Sequence, residues 1–256
     1  MKTLAIYSNK GGVGKTATAV NISYLAAQSG LSTLICDLDP QSSASYYFRV
    51  KPKLKEDARG FNPGGKPISR SIKGTDFKNL DLLPSDFSHR SLDIVFNKFK
   101  RPEQQLARVI SQIEDQNEYD LMILDCPPSI NTLAENIFYA ADFIIVPLIP
   151  TPLSERTHNQ LLKFFQKQNY SQKKIHTFIS MEDRRKKMHC EFSESLRSEF
   201  SHCLNNTIPY SSDVEKMGIE RQPVMAFAPK SKAALSYRQL WAEIYDKLLG
   251  DIKATV

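Results

Sequence analysis

Short apolar runs alternate with longer amphipathic stretches from one end of the chain to the other. Leu4–Ser8, Thr33–Asp37, Leu80–Pro84, Leu121–Asp125, Phe143–Pro147, Ile175–Ser180 and Asn206–Pro209 read as strands. Most are continuous apolar runs, the pattern of strands covered on both faces. Helical spacing predicts helices over 16–29, 88–98, 102–117, 131–140, 154–168, 189–201 and 231–249. In the last, Leu235, Leu240, Trp241, Ile244, Tyr245, Leu248 and Leu249 form one stripe. Strand and helix in alternation predict an α/β fold, a mostly parallel twisted sheet with helices on both faces.

Residues 49–76 break that rhythm. Arg49, Lys51, Lys53, Lys55, Arg59, Lys66, Arg70 and Lys73 are mixed there with Pro52, Gly60, Pro63, Gly64, Gly65 and Pro67. Such composition predicts a long basic surface loop, with room for a small hairpin, inside a single domain spanning 1–256.

The first strand and first helix are joined by Asn9, Lys10, Gly11, Gly12, Val13, Gly14, Lys15 and Thr16. Strand, glycine loop and helix are the context a phosphate-binding loop requires. Glycines let backbone N–H groups turn inward around phosphate oxygens, and the helix presents its positive end to them. Lys15 would face the β- and γ-phosphates and the Thr16 hydroxyl would ligate Mg²⁺, with Ala17 completing the cradle. Asn9 stands where the pattern G-x-x-x-x-G-K-[ST] has its first glycine, and Lys10 adds a second lysine inside the loop.

Phosphoryl transfer to water needs positioned charge more than covalent chemistry, so acids at strand ends matter next. Asp125 closes the run Leu121-Met122-Ile123-Leu124 and should emerge beside the loop to hold Mg²⁺ through water. The competing role is a turn cap before Pro127-Pro128. Asp37 and Asp39 follow another strand and should reach the same edge. They are expected to point apart and to have separate roles, although Asp39-Pro40-Gln41 also favours a plain turn.

Lys10-Gly11-Gly12-Val13-Gly14-Lys15-Thr16 resembles the deviant phosphate loop of the ParA/MinD class of ATPases. Asp37-Leu38-Asp39-Pro40-Gln41 resembles its second acidic motif, and Leu124-Asp125-Cys126-Pro127-Pro128-Ser129 its Walker B strand and following turn. Asn79–Pro84, Ser180–Arg185, and Pro229–Lys232 before the Tyr237 helix look specifically ParA-like. The resemblance implies ATP and Mg²⁺ as cofactors, with Asp39 orienting the attacking water and Asp37 near the magnesium shell. It implies that Lys10 reaches across a dimer interface to the partner's ATP, and that Met181 and Pro209 contact adenine. It places Arg184, Arg185, Lys186, Lys187, Lys230 and Lys232 on a face that binds DNA non-specifically. The implied partners are a second copy in the presence of ATP, DNA, and a ParB-like or other cargo adaptor that stimulates slow hydrolysis. The setting is cytoplasmic, on the nucleoid.

One departure stands out. ParA-like chains commonly carry Ile-Pro-Arg-Asn-Val-Arg, whereas this one reads Ile208-Pro209-Tyr210-Ser211-Ser212-Asp213. Both arginines are gone, which leaves DNA binding to other residues or the surface to another cargo. Two alternatives stay open. A MinD-like membrane-associated regulator would need a terminal amphipathic helix, yet only Gly250–Val256 follow Leu249. A metabolic or redox enzyme of the same class would suit paired cysteines or a different second half.

Composition adds little. Hydrophobic content of 41% fits a globular core, and Cys36, Cys126, Cys190 and Cys203 form no C-x-x-C pair, so reduced thiols are expected. A phosphate loop within the first sixteen residues predicts no signal peptide, and no apolar run reaches the roughly 18 residues of a membrane span. The formal charge of +6 tilts mildly towards an acidic polymer as partner.

Overall fold

Seven strands form one sheet in the order β3-β4-β2-β5-β1-β6-β7, seen in a computed structural model that describes residues 1–51, 68–85 and 87–252. The strands are β1 (Lys2–Ile6), β2 (Thr33–Asp37), β3 (Lys73–Gly74), β4 (Leu80–Leu83), β5 (Leu121–Asp125), β6 (Phe143–Leu148) and β7 (Ile175–Ile179). All pairings are parallel except that of β3 with β4. Most of the basic segment at 49–76, residues 52–67, lies outside the described residues. Its described ends supply the 3₁₀ turn Ile68–Ser71, the edge strand β3 and an exposed ion pair, Arg49 to Asp76 at 2.9 Å.

The pleat divides the core in two. Leu4, Ile6, Ile35, Leu82 and Ile123 face one layer, and Ala5, Leu34, Cys36, Leu83, Met122 and Leu124 the other. The first layer packs on α1 (Lys15–Gln28) and on the late helix α10 (Lys232–Ile244). Ten of the fourteen residues of α1 are buried, because α10 covers the side that the sheet does not. The second layer packs on α3 (Leu92–Phe96), α4 (Gln105–Gln116), α5 (Thr132–Ala140) and α6 (Pro152–Lys167).

Four short elements had no strong sequence signal: β3, α2 (Ser43–Tyr47), α8 (Ser212–Glu220) and α9 (Val224–Phe227). Between α6 and α8 runs α7 (Lys187–Glu199). The helix expected over 88–98 splits into a 3₁₀ turn, Phe87–Ser91, and α3. That over 102–117 opens with the 3₁₀ turn Pro102–Gln104, and that over 231–249 ends in a wider turn, Tyr245–Leu249.

The strand expected at Asn206–Pro209 does not form. A single parallel bridge joins Glu182 to Pro209, and Ile208 donates to the Ile179 carbonyl at 2.9 Å. The ladder goes no further because the Asn205 and Asn206 N–H groups turn instead to the Glu243 carboxylate, at 2.8 and 2.9 Å.

Candidate functional site

The carboxyl ends of β1, β2 and β5 come together at one edge of the sheet. Ile6 and Asp37 are both register partners of Asp125, so the loop after β1 hangs over two acids. An edge of this kind, where connections leave a parallel sheet in opposite directions, is where such folds place ligands.

Gly14 caps α1 at φ 92°, a left-handed conformation that disfavours any residue with a Cβ. A Cβ there would also sit 3.1 Å from the Ser180 hydroxyl. That hydroxyl donates to the Val13 carbonyl at 2.9 Å and so pins the loop to the end of β7. Lys15 is 7% exposed and donates to the Lys10 carbonyl at 3.0 Å. Burial lowers its pKa, and the nearby Asp125 carboxylate pulls in the opposite direction.

Asp125 is fully buried, and neither carboxylate oxygen meets hydrogen-bonding geometry with a described group. Burial raises its pKa, with Asp37 adding to the rise and the nearby Thr16 hydroxyl easing it. A buried carboxylate without partners is costly in a folded chain unless something neutralises it. Oxygen ligands beside the Thr16 hydroxyl suit Mg²⁺, so these residues fit the implied ion.

Asp37 differs. The Ser45 hydroxyl and N–H donate to its Oδ2 at 2.7 and 2.9 Å, and the Asp39 N–H to its Oδ1 at 3.2 Å. Burial pushes its pKa up to about 7 against those bonds. The carboxylate thus fastens α2 and the Asp39 turn to the sheet. Asp39 accepts from the Gln41 N–H at 2.9 Å and lines a cavity of about 360 Å³ over the loop. The two acids have different surroundings, Asp37 buried and bonded at the strand end and Asp39 lining the cavity. Residues two apart in a strand share a face; here the strand ends at Asp37 and the turn carries Asp39 away.

The same cavity is lined by Gly11, Gly12, Gly14, Lys15, Thr16, Ala17 and Met181. Met181 and Pro209 meet in a smaller adjoining space. Met181 is held at φ 56°, unusual for a long side chain. Lys10 does not line this cavity; its ammonium donates to the Ser154 hydroxyl of α6 at 3.2 Å. The Tyr7 hydroxyl donates to the Ser129 carbonyl at 2.8 Å and ties the turn after Asp125 to β1.

The cationic run is largely paired with acids close to it in sequence. Arg184 bonds Glu182 at 2.9 Å, Arg185 grips Asp183 through two nitrogens at 2.9 and 3.0 Å, and Lys187 meets Glu191 at 3.3 Å. Arg184, Arg185 and Lys232 share an open cavity of about 710 Å³, while Lys186 lines its neighbour and Lys230 neither. Sequence reasoning did not single out Tyr47, Val214 or Glu215, which line the space over the loop. An acid in the first turn after the Ser211 cap was the available signal for Glu215.

A glycine-capped phosphate cradle over buried strand-end acids defines a P-loop ATPase of the parallel-sheet class. A profile of the AAA domain family AAA_31 matches residues 1–178. The virulence plasmid ParA family protein pGP5-D of Chlamydia psittaci is 30% identical, over 99% of this chain and 98% of its own. The chromosome partitioning protein ParA of Caulobacter vibrioides is 26% identical, over 96% and 95%. Septum site-determining protein MinD of Pyrococcus horikoshii, solved with Mg-ADP, shares the fold at a TM-score of 0.80 and 22% identity, over 100% of this chain and 99% of its own. The chain belongs to the ParA family within these AAA-domain ATPases.

Proposed function

We propose that the chain is an ATP-gated dimer that binds DNA without sequence preference and positions a cargo. The observation that carries this reading is the orphaned, fully buried Asp125 carboxylate beside Thr16 and Lys15. Thr16 and Asp125 would hold Mg²⁺, with Asp37 close by, and the ion would supply charge neutralisation at the phosphates. Lys15 leaves the Lys10 carbonyl for the β- and γ-phosphates, and the loop N–H groups from Gly11 to Ala17 orient them. Asp39 holds the water that attacks the γ-phosphorus, giving ADP and phosphate. Lys10 leaves Ser154 and reaches the ATP of the facing copy, so the dimer persists only while nucleotide is bound.

Met181 and Pro209 hold the adenine. Arg185, Lys186, Lys230 and Lys232, with Arg184 and Lys187, supply the phosphate contacts of the dimer on the nucleoid. A ParB-like or other adaptor in the cytoplasm stimulates hydrolysis and resets the cycle. The cargo classes in view are a plasmid, a chromosome region or a protein assembly; the names of the Chlamydia and Caulobacter relatives favour the first two. Among the described residues no helix is long and apolar enough to cross a membrane.

The test is binding to non-specific duplex DNA with ATP or ADP over a salt series. Binding with ATP alone, weakening steeply as salt rises, supports the reading. Absence of binding at low salt, under conditions where the ATP dimer forms, overturns the DNA part of it.

A further inference from the structure

The cavity over the phosphate loop continues into a second compartment. The first, about 360 Å³, is bounded by the loop, Asp39 and Tyr47. The second is a narrow slot of about 40 Å³ between Met181, Pro209 and Tyr210. Gly14, Ala17, Met181, Val214 and Glu215 line both spaces and mark where they join. Among those five, Glu215 alone has a side chain that can hydrogen-bond strongly.

A nucleotide with its phosphates in the loop and its base edge in the apolar slot must lay its sugar across that junction. Glu215 sits in the first turn of α8, and one carboxylate oxygen accepts from the Tyr210 hydroxyl at 2.7 Å. The other oxygen makes no hydrogen bond or ion pair with a described residue. An ionised carboxylate only accepts, and the two neighbouring hydroxyls of a ribose can both donate. Hydrogen bonds to a charged acceptor are the stronger kind. We infer that Glu215 reads the ribose hydroxyls of the bound nucleotide, with Tyr210 as the positioning residue that fixes its rotamer. The inference rests on the nucleotide-site reading above.

The experiment is calorimetric titration of the full chain with unlabelled ADP and 2′-deoxyADP in Mg²⁺, diphosphates being free of turnover. Wild type is expected to bind 2′-deoxyADP about tenfold more weakly. Glu215→Ala should weaken ADP by more than it weakens 2′-deoxyADP, which loses only the 3′-hydroxyl contact, so the preference disappears. Glu215→Gln, which keeps one acceptor oxygen and the side-chain shape, should retain part of it. Tyr210→Phe should shrink the ratio without removing nucleotide binding. Equal affinities in wild type, or a preference surviving undiminished in Glu215→Ala, overturn the inference while the nucleotide site stands. Failure of wild type to bind either diphosphate overturns the site reading and the inference together.

Discussion

Asp37 and Asp125 stand opposite each other at the ends of β2 and β5, and both are sealed from solvent. Their environments diverge from there. Three hydrogen bonds hold Asp37, whereas both oxygens of Asp125 are left without partners. The chain places a buried acid, eased only by the nearby Thr16 hydroxyl and Lys15 ammonium, beside a pinned one at the foot of the phosphate loop.

That asymmetry predicts opposite effects of one substitution on stability and on binding. Asp125→Asn removes a buried charge that Asp37 opposes, so the ligand-free chain should gain roughly 1 kcal/mol in urea unfolding. The same change should weaken Mg-dependent nucleotide binding by at least about tenfold. A variant that is less stable and binds normally would show that Asp125 serves the fold.

Asp39 sits away from the sheet in a turn that its own side chain closes through the Gln41 N–H. Asp39→Ala should leave ATP binding intact and slow hydrolysis by about a hundredfold or more. The trapped state is an ATP-bound dimer, visible by size-exclusion with light scattering. Rapid turnover in this variant would remove Asp39 from the water-orienting role.

Arg185 is held by Asp183 in an exposed, two-pronged pair. Exposed pairs of this kind add little to stability, so Asp183→Asn should leave the unfolding midpoint unchanged. Freeing Arg185 should tighten ATP-dependent DNA binding and steepen the slope of log affinity against log salt by about one. An unchanged slope would place Arg185 off the DNA path.

Two buried histidines make stability sensitive to acid. Burial pushes His158 down to about 4, where it packs edge-on to Phe200, and His176 also falls to about 4 by burial, with His202 and Lys247 nearby. The unfolded chain takes up these protons first, near pH 6.5, so stability is complete above that pH and is lost as pH falls towards 4. At pH 5 the His158 share amounts to roughly 2 kcal/mol. Denaturant unfolding of His158→Leu should lose that much less than wild type between pH 7 and pH 5; parallel losses would contradict the assignment.

Much of the architecture was legible in the chain. Mostly apolar runs marked six of the seven strands, as strands covered on both faces are largely apolar, although β4 carries Asp81 and β7 buries His176 and Thr177. The glycine loop and the acid after Leu124 located the candidate site. The misses were local. Asn206–Pro209 has strand-like composition, but the Glu243 carboxylate draws off the Asn205 and Asn206 N–H groups and the ladder stops at one bridge. Helix α2 is only five residues long, too short to show a period, and it is held by Ser45 bonding to Asp37, a contact between residues eight apart. Pairing of Arg184 and Arg185 with the acids just before them was written in Glu182-Asp183-Arg184-Arg185, and only the structure shows those bonds formed.

The central claim is that nucleotide makes the dimer and that Lys10 is the link. Lys10 now donates to Ser154 of its own chain at 3.2 Å, a bond of ordinary strength that a phosphate can outcompete. The direct test is molar mass by light scattering for wild type and Lys10→Ala, each with MgATP and with MgADP. Dimers of wild type in ATP alone, with Lys10→Ala monomeric in both nucleotides though still folded and binding ATP, is the predicted result. Lys10→Ala dimerising in ATP as wild type does, or wild type indifferent to nucleotide, would contradict it.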